Sequence, residues 1–416
     1  MKRGRGSAKV VAFFAEAPRG LEFVAADEVM EMARDCGGIV AETAYVHSFE
    51  GAGLVEFGFE LPAAREEAAV VYERVLGLRT TDDVYAQFAC VPHSVPSGKE
   101  AGLPFFLVVA ACADIQSLRT AYRVLRDVET LTKQGLPPRE DGARPNLRDP
   151  VFRATCDRYI LHMARKHEFN SIEVAGWAGS GLELRTHWKI GLTGFDVQQH
   201  VHCCDDAAWM GFALTRRAPK INMFKRHHTA LCKTTMKASI AAAMCRLACR
   251  MSGAVERPLV VCDMMCGSGT IPLEASFVTG APCILGADVA TEYAEHALAN
   301  LRACDKSSGC WHRVNVLNWD ARCLPLRSNS VDLLLCDMPY GLRCGNSRKN
   351  GKMYGAIVSE VARVLVPGAH AWLLTIESTL VRKCLTDVPI LKHIGSYTVD
   401  NSGLMVELFC IEKLHS

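Results

Sequence analysis

The chain has 416 residues, 49% in the hydrophobic set and 22% charged, with 32 Gly and 17 Pro. That balance excludes a disordered or collagen-like polymer, and at roughly 150 residues per domain the length excludes a single small module and implies two or three domains. Against 45 Asp and Glu stand 47 Lys and Arg, a net charge of +2, so the total by itself does not point to nucleic acid.

In chain order, Val10 to Glu16 reads as a strand, Pro18-Arg19-Gly20 as a turn and Leu21 to Ala33 as an amphipathic helix. Strand patterns at Gly53 to Phe59 and Val84 to Phe88, with a helix from Ala63 to Leu76 between them, predict a ferredoxin-like β-α-β-β-α-β unit. A Pro- and Gly-rich stretch from Gly135 to Pro150 interrupts the pattern, and strand-like runs follow at Val151 to Cys156, Asp196 to His202 and Ala208 to Thr215. From about Leu231 helices and strands alternate. Helices are expected at Met236 to Cys249, Thr270 to Val278 and Glu292 to Cys304, and strands at Leu259 to Asp263, Cys283 to Asp288, Val314 to Leu317, Val331 to Asp337 and Ala369 to Ile376. Two further strands, near Ile394 to Val399 and Leu404 to Ile411, close the series. Such alternation implies a doubly wound, Rossmann-like parallel sheet, so the fold class is α/β at the C-terminal end and α+β before it.

No apolar run reaches the roughly 18 residues of a membrane span, and Met1 to Val10 is basic without the apolar core of a signal peptide. The chain therefore reads as intracellular, with no membrane partner. The cytoplasm is the expected compartment and the nucleus the alternative. The 19 cysteines are scattered and never form the paired CxxC of a zinc ribbon. They read as reduced core fillers, and no metal is expected in this chain.

Chemistry concentrates at two strand ends. Strand Leu259 to Asp263 runs into Met264-Met265-Cys266-Gly267-Ser268-Gly269-Thr270 and then a helix, the place where open α/β sheets bind nucleotide-like ligands. Gly267 and Gly269 allow positive φ, the helix start offers free N–H groups, and Asp288 at the next strand end suits a ribose. A dinucleotide site would want a third glycine where Pro272 stands, whereas an S-adenosyl-L-methionine site wants an acceptor such as Asp263 for the methionine ammonium. The second strand end, Asp337-Met338-Pro339-Tyr340-Gly341, supports the latter cofactor. Asp337 and the Met338 carbonyl can accept both hydrogens of an exocyclic amine, turning its lone pair toward a methyl donor. Pro339 stiffens the turn, and Tyr340 offers a face for a stacked base.

These stretches, with Gly286-Ala287-Asp288, Trp319-Asp320 and Ser330-Val331-Asp332, resemble the eukaryotic-type THUMP-domain guanine-N2 tRNA methyltransferases. Upstream, Pro18-Arg19-Gly20-Leu21-Glu22, Phe152-Arg153-Ala154-Thr155-Cys156-Asp157-Arg158 and Gly211-Phe212-Ala213-Leu214-Thr215 resemble the family's ferredoxin-like and THUMP parts. The resemblance implies a ferredoxin-like domain at 8–100, an RNA-binding THUMP domain at 101–215, a basic linker at 216–232 and a Rossmann-like class I methyltransferase domain at 233–416. By it, Asp263, Cys266, Gly267 and Gly269 hold the methionine end of the cofactor, Asp288 its ribose and Asp320 its adenine. Asp337, Met338, Pro339 and Tyr340 form the catalytic turn. The implied product is N2-methylguanosine in tRNA, with small nuclear RNA as the alternative substrate and an inactive RNA-binding factor as the alternative of another class. A small zinc-binding activator subunit is the implied partner, in a heterodimer.

The near-neutral total conceals one asymmetry: no acidic residue occurs from Ala207 to Val255. Arg216, Arg217, Lys220, Lys225 and Arg226 fall in this window, between the implied RNA-binding and catalytic parts, and are expected to contact RNA phosphates.

Overall fold

The computed structural model describes residues 10–415 apart from 93–94, 134, 137–138, 140–141, 160–165, 206, 216–229, 233–234, 252–259, 305–310 and 341–346. Two units divide the chain, Met1–Asn222 and Met223–Ser416.

In the first unit, β1 (Val10–Glu16), α1 (Glu22–Cys36), α2 (Gly38–Thr43), β2 (Tyr45–Phe49), β3 (Leu54–Glu60), α3 (Arg65–Leu76) and β4 (Val84–Val91) follow in order. Their antiparallel strands lie as β2-β3-β1-β4, the ferredoxin-like arrangement expected. After them come α4 (Lys99–Ala111), α5 (Ile115–Leu131), β5 (Val151–Tyr159), α6 (Ser171–Thr186), β6 (Lys189–Ile190), β7 (Val197–Cys204) and β8 (Ala207–Ala213). Because β8 pairs antiparallel with β4, all eight strands described in this unit join one sheet, β2-β3-β1-β4-β8-β7-β5-β6.

Alternation along the strands explains the two faces of that sheet. Phe13, Ala15, Phe57 and Phe59 pack with Val29 of α1, Val71 of α3, Phe106 of α4, Val124 of α5 and Val174 of α6. Phe14, Tyr85 and Trp209 gather in a separate cluster. Burying side chains of this size is worth roughly 1.5–3 kcal/mol each, which fixes the register, since a one-residue slip would exchange the two faces.

Helix α6 starts at a capping box, in which Asn170 accepts from the Glu173 amide and Glu173 accepts from the Asn170 amide. It lies against α4 closely enough that a Cβ on Gly181 would run into the Leu107 carbonyl and stand 2.8 Å from Ala110 Cβ. A Cβ on Gly176 of the same helix would meet nothing within 4 Å.

The second unit holds α7 (Ala238–Met251), β9 (Val260–Asp263), α8 (Thr270–Val278), β10 (Cys283–Asp288), α9 (Thr291–Ala303) and β11 (Val314–Asn318). It continues through β12 (Val331–Asp337), α10 (Ser347–Val364), β13 (Leu365–Thr375), α11 (Ser378–Thr386), β14 (Leu391–Asn401) and β15 (Leu404–Lys413). The strand order among the described residues is β11-β10-β9-β12-β13-β15-β14, parallel through β13 and antiparallel in the last two. This is the doubly wound sheet expected from the alternation. It reverses direction of winding between β9 and β12, so a crevice opens at their carboxyl ends. Leu334, Cys336, Leu373 and Phe409 pack against Ile357 and Val361 of α10 and Val381 of α11. Many thiols lie buried, among them Cys262, Cys336 and Cys410, while Cys112 and Cys323 are exposed.

The two helix glycines give a paired test. Gly181→Ala is expected to lower the unfolding free energy by about 1–3 kcal/mol through overpacking. Gly176→Ala, with open space for its methyl, should leave stability unchanged or raise it by up to about 1 kcal/mol. Chemical denaturation of both variants reads the difference in sign.

Candidate active site

Three acidic side chains end three adjacent strands of the second sheet: Asp288 on β10, Asp263 on β9 and Asp337 on β12. All three line a cleft of about 600 Å³, and among the described residues no Lys, Arg or His lines it. A cavity of that size suits a small-molecule ligand, and its unbalanced negative charge favours one carrying positive charge.

The glycine turn forms one wall. Gly267 and Gly269 hold positive φ, 51° and 83°, and a Cβ on Gly269 would stand 2.9 Å from Ala297 Cβ, so this turn tolerates no larger residue there. Hydrogen bonds close it: the Cys266 amide donates to Ala287 O at 2.7 Å, and the Gly269 amide to Cys266 O at 2.7 Å. Asp288 accepts from the Gly267 amide at 3.1 Å and the Ala290 amide at 2.9 Å, holding the turn beside the second strand end. Pro272 packs where a side chain on Gly286 would stand, at 2.7 Å, fixing α8 tightly on β10.

Asp263 is buried and accepts from the Met265 amide at 3.2 Å. Burial raises its pKa well above the usual carboxylate value, and the charges of Asp337 and Asp288 push the same way. Asp337, half-buried at the cleft wall, accepts a 2.7 Å hydrogen bond from the Tyr340 hydroxyl. Desolvation raises its pKa to about 7, although the Tyr340 bond pulls it down. The turn after it is fixed from behind. The Met338 amide donates to Leu374 O at 2.8 Å, and the buried Tyr354 hydroxyl donates to Pro339 O at 3.0 Å while sharing a 2.7 Å bond with Thr375.

The structure thus brings together Asp263, Cys266, Gly267, Gly269, Asp288, Asp337, Met338, Pro339 and Tyr340. Asp320 it does not bring in. Its carboxylate is held by Arg322, whose Nε lies 2.9 and 3.0 Å from the two oxygens, and it is absent from the cleft lining. That ion pair pulls the Asp320 pKa down. Arg216, Arg217, Lys220, Lys225 and Arg226 lie outside the described residues, as does Gly341. Strands β14 and β15 were expected, but not the place of the turn between them: Asn401 to Leu404 line the cleft, and Asn401 Nδ2 lies 3.4 Å from the Tyr340 hydroxyl. Asn401-Ser402-Gly403 reads as a hairpin turn, yet nothing local indicates that it reaches the turn after β12.

Comparison with known proteins agrees with this geometry. Residues 226–407 match the family described as RMKL-like, methyltransferase domain. That match lies within the C-terminal unit. A Bos taurus protein named tRNA (guanine(6)-N(2))-methyltransferase THUMP3 is 28% identical over 305 residues, 70% of this chain and 58% of the relative. Another from Bos taurus, named U6 snRNA (guanine-N(2))-methyltransferase THUMPD2, is 32% identical over 206 residues, 49% of this chain and 37% of the relative. The chain therefore spans less than two thirds of the length of these relatives. Among solved structures, TrmN from Thermus thermophilus superposes with a TM-score of 0.66 at 22% identity, covering 97% of this chain and 100% of that one. The fold of each unit is accordingly shared with that structure.

Asp337 provides the test of this electrostatics. Unfolded, it titrates near ~3.9; folded, near 7. The native state binds its proton more tightly, so this group's contribution to stability is full below about pH 4 and is lost as pH rises through about 7. Carboxyl-detected NMR titration of the ligand-free chain should find a group with a midpoint near 7. Tyr340→Phe, which removes a hydrogen bond to the charged form, should move that midpoint higher.

Proposed function

We propose that this chain is an S-adenosyl-L-methionine-dependent methyltransferase that forms N2-methylguanosine in tRNA. The observation that carries this reading is the placement of Asp337 and Tyr340 at the mouth of a cleft walled by Asp263, Asp288 and the Gly267–Gly269 turn. The lining fits the cofactor: a sulfonium and an ammonium meet three carboxyl groups and, among the described residues, no competing cation. When bound, the cofactor supplies an electrophilic methyl group.

The remaining chemistry belongs to the chain. Asp263 accepts from the methionine ammonium, and Gly267 and Gly269 let the backbone approach. Asp288 has both oxygens engaged by backbone amides yet keeps further lone pairs for the ribose hydroxyls. Asp337 Oδ2 and the Met338 carbonyl receive the two hydrogens of the guanine amine, which frees the nitrogen lone pair from the ring and aims it at the methyl. Once nitrogen carries the new methyl it is strongly acidic, and Asp337, poised near neutrality, takes the proton. Tyr340 orients the carboxylate through its hydroxyl and stacks its ring on the base, while Tyr354 and Thr375 keep the turn from yielding.

RNA reaches this site, in the same proposal, through residues 101–215 as a THUMP domain and through Arg216, Arg217, Lys220, Lys225 and Arg226 as phosphate contacts. The name of the THUMP3 relative supports tRNA, and its partnership with a zinc-binding activator subunit is part of the proposal. The 32% identity to a relative named for U6 small nuclear RNA supports the second reading.

Purified chain, with and without the activator, is given radiolabelled cofactor and total RNA. N2-methylguanosine in a tRNA-sized band is the expected result, label confined to small nuclear RNA establishes the second reading, and absence of label in any RNA refutes both. Asp337→Ala should lower transfer by at least ~100-fold while cofactor affinity changes little. Exchanging Arg216, Arg217, Lys225 and Arg226 for Ala should weaken RNA binding and reduce its dependence on salt, as measured by filter binding across a salt series.

A further inference from the structure

On the first unit's sheet, the end of β1 meets the middle of β7. One oxygen of Glu16 and one nitrogen each from His200 and His202 lie within 4.8 Å of one another, and all three residues are buried. The Glu16 Oε1 to His200 Nε2 separation is 3.1 Å, close to the ~3.3 Å edge of a tetrahedron with metal bonds of about 2.0–2.1 Å. In the sheet, β4 and β8 stand between β1 and β7. Three ligating groups therefore converge above the strands by side-chain reach, while Tyr85 of β4 stacks on His200 with ring centroids 4.5 Å apart.

The hydrogen bonds of these groups define which lone pairs remain. His202 Nε2 lies 2.9 Å from the Ala52 carbonyl. A carbonyl only accepts, so Nε2 carries the proton and Nδ1 presents a lone pair. That Nδ1 is buried and has no hydrogen-bond partner among the described residues. His200 spends Nδ1 on Thr155 Oγ1 at 3.0 Å, leaving Nε2 toward Glu16 in a geometry that makes no hydrogen bond. Each imidazole is thus tied at one nitrogen and turned inward at the other, the pattern by which an outer hydrogen bond sets the tautomer of a metal-ligating histidine. Asp157 Oδ2 lies 3.9 Å from His200 Nε2 but is not one of the three converging groups, and the Tyr85 hydroxyl donates to Glu16 at 3.0 Å, orienting the carboxylate.

We propose that Glu16, His200 and His202 form a structural site for a divalent transition-metal ion of the zinc type, which ties β1 to β7. Two imidazoles and a carboxylate are a donor set that zinc accepts, and a site closed to solvent within a sheet points to a structural ion. The sequence did not suggest it, because the carboxylate and the imidazoles come from opposite ends of the first unit.

The test uses the full chain, expressed with zinc, stripped with a chelator and reloaded with zinc alone. The result expected is about one zinc per chain by elemental analysis, with the thermal midpoint falling on stripping and recovering on reloading. His202→Gln and Glu16→Gln, which keep the volume nearly constant, should each weaken zinc binding by at least about tenfold. They should also abolish the rise in thermal midpoint on reloading, even where their own unfolding temperature is lowered. Zinc content well below one per chain, or equal zinc affinity in wild type and both variants, would overturn the proposal. The latter result would assign the metal to the cysteines.

Discussion

Three carboxyl groups taken out of water in one cleft are the constraint on which the second unit depends. Burial opposes the ionisation of Asp263 and Asp337, the charges of Asp337 and Asp288 add to it at Asp263, and among the described residues no lining cation offsets them, so the second sheet must hold them by packing. It does so from both sides: Leu334, Cys336 and Leu373 lock β12 and β13 into the core, while the glycine turn and Pro272 fix α8 against β10. The acidic cleft therefore depends on a core rigid enough to resist relaxation, and its raised proton affinities record the cost.

That rigidity extends to the turn after β12. The backbone bond from Met338 to Leu374 O and the bond from the Tyr354 hydroxyl to Pro339 O leave Asp337 little freedom, and the Tyr340 hydroxyl fixes the plane of its carboxylate. A phenylalanine would stack as well but would leave that carboxylate to rotate. Tyrosine here trades one acceptor lone pair for orientation.

Legibility in the sequence followed the range of the forces involved. Strand β12 and helix α8 have the expected ends because a continuous apolar run and a glycine turn are local signals. Helix α4 was missed because Pro104 sits inside it and its sequence is apolar on every side, which blurs the helical period. Helix α6 likewise carries three glycines, against helix propensity, of which Gly181 is required by its close packing on α4. At the site, Asp263, Asp288 and Asp337 could be found because each ends a strand. The position of Asp320 could not, since Arg322 beside it competes for the same carboxylate. Asn401 and Tyr354 enter only through tertiary packing.

The abundance of sulfur has a practical meaning that burial alone decides. Thiols react as thiolates, and desolvation pushes Cys203 and Cys410 up to about 12 and raises Cys262 and Cys336 as well, so these groups stay protonated and behave as alkyl chains. An oxidant or alkylating reagent finds exposed sulfur, among the described residues, at Cys112 and Cys323, remote in sequence from the acidic strand ends. Among the described residues, Cys112 and Cys323 are therefore the natural attachment points for spectroscopic labels.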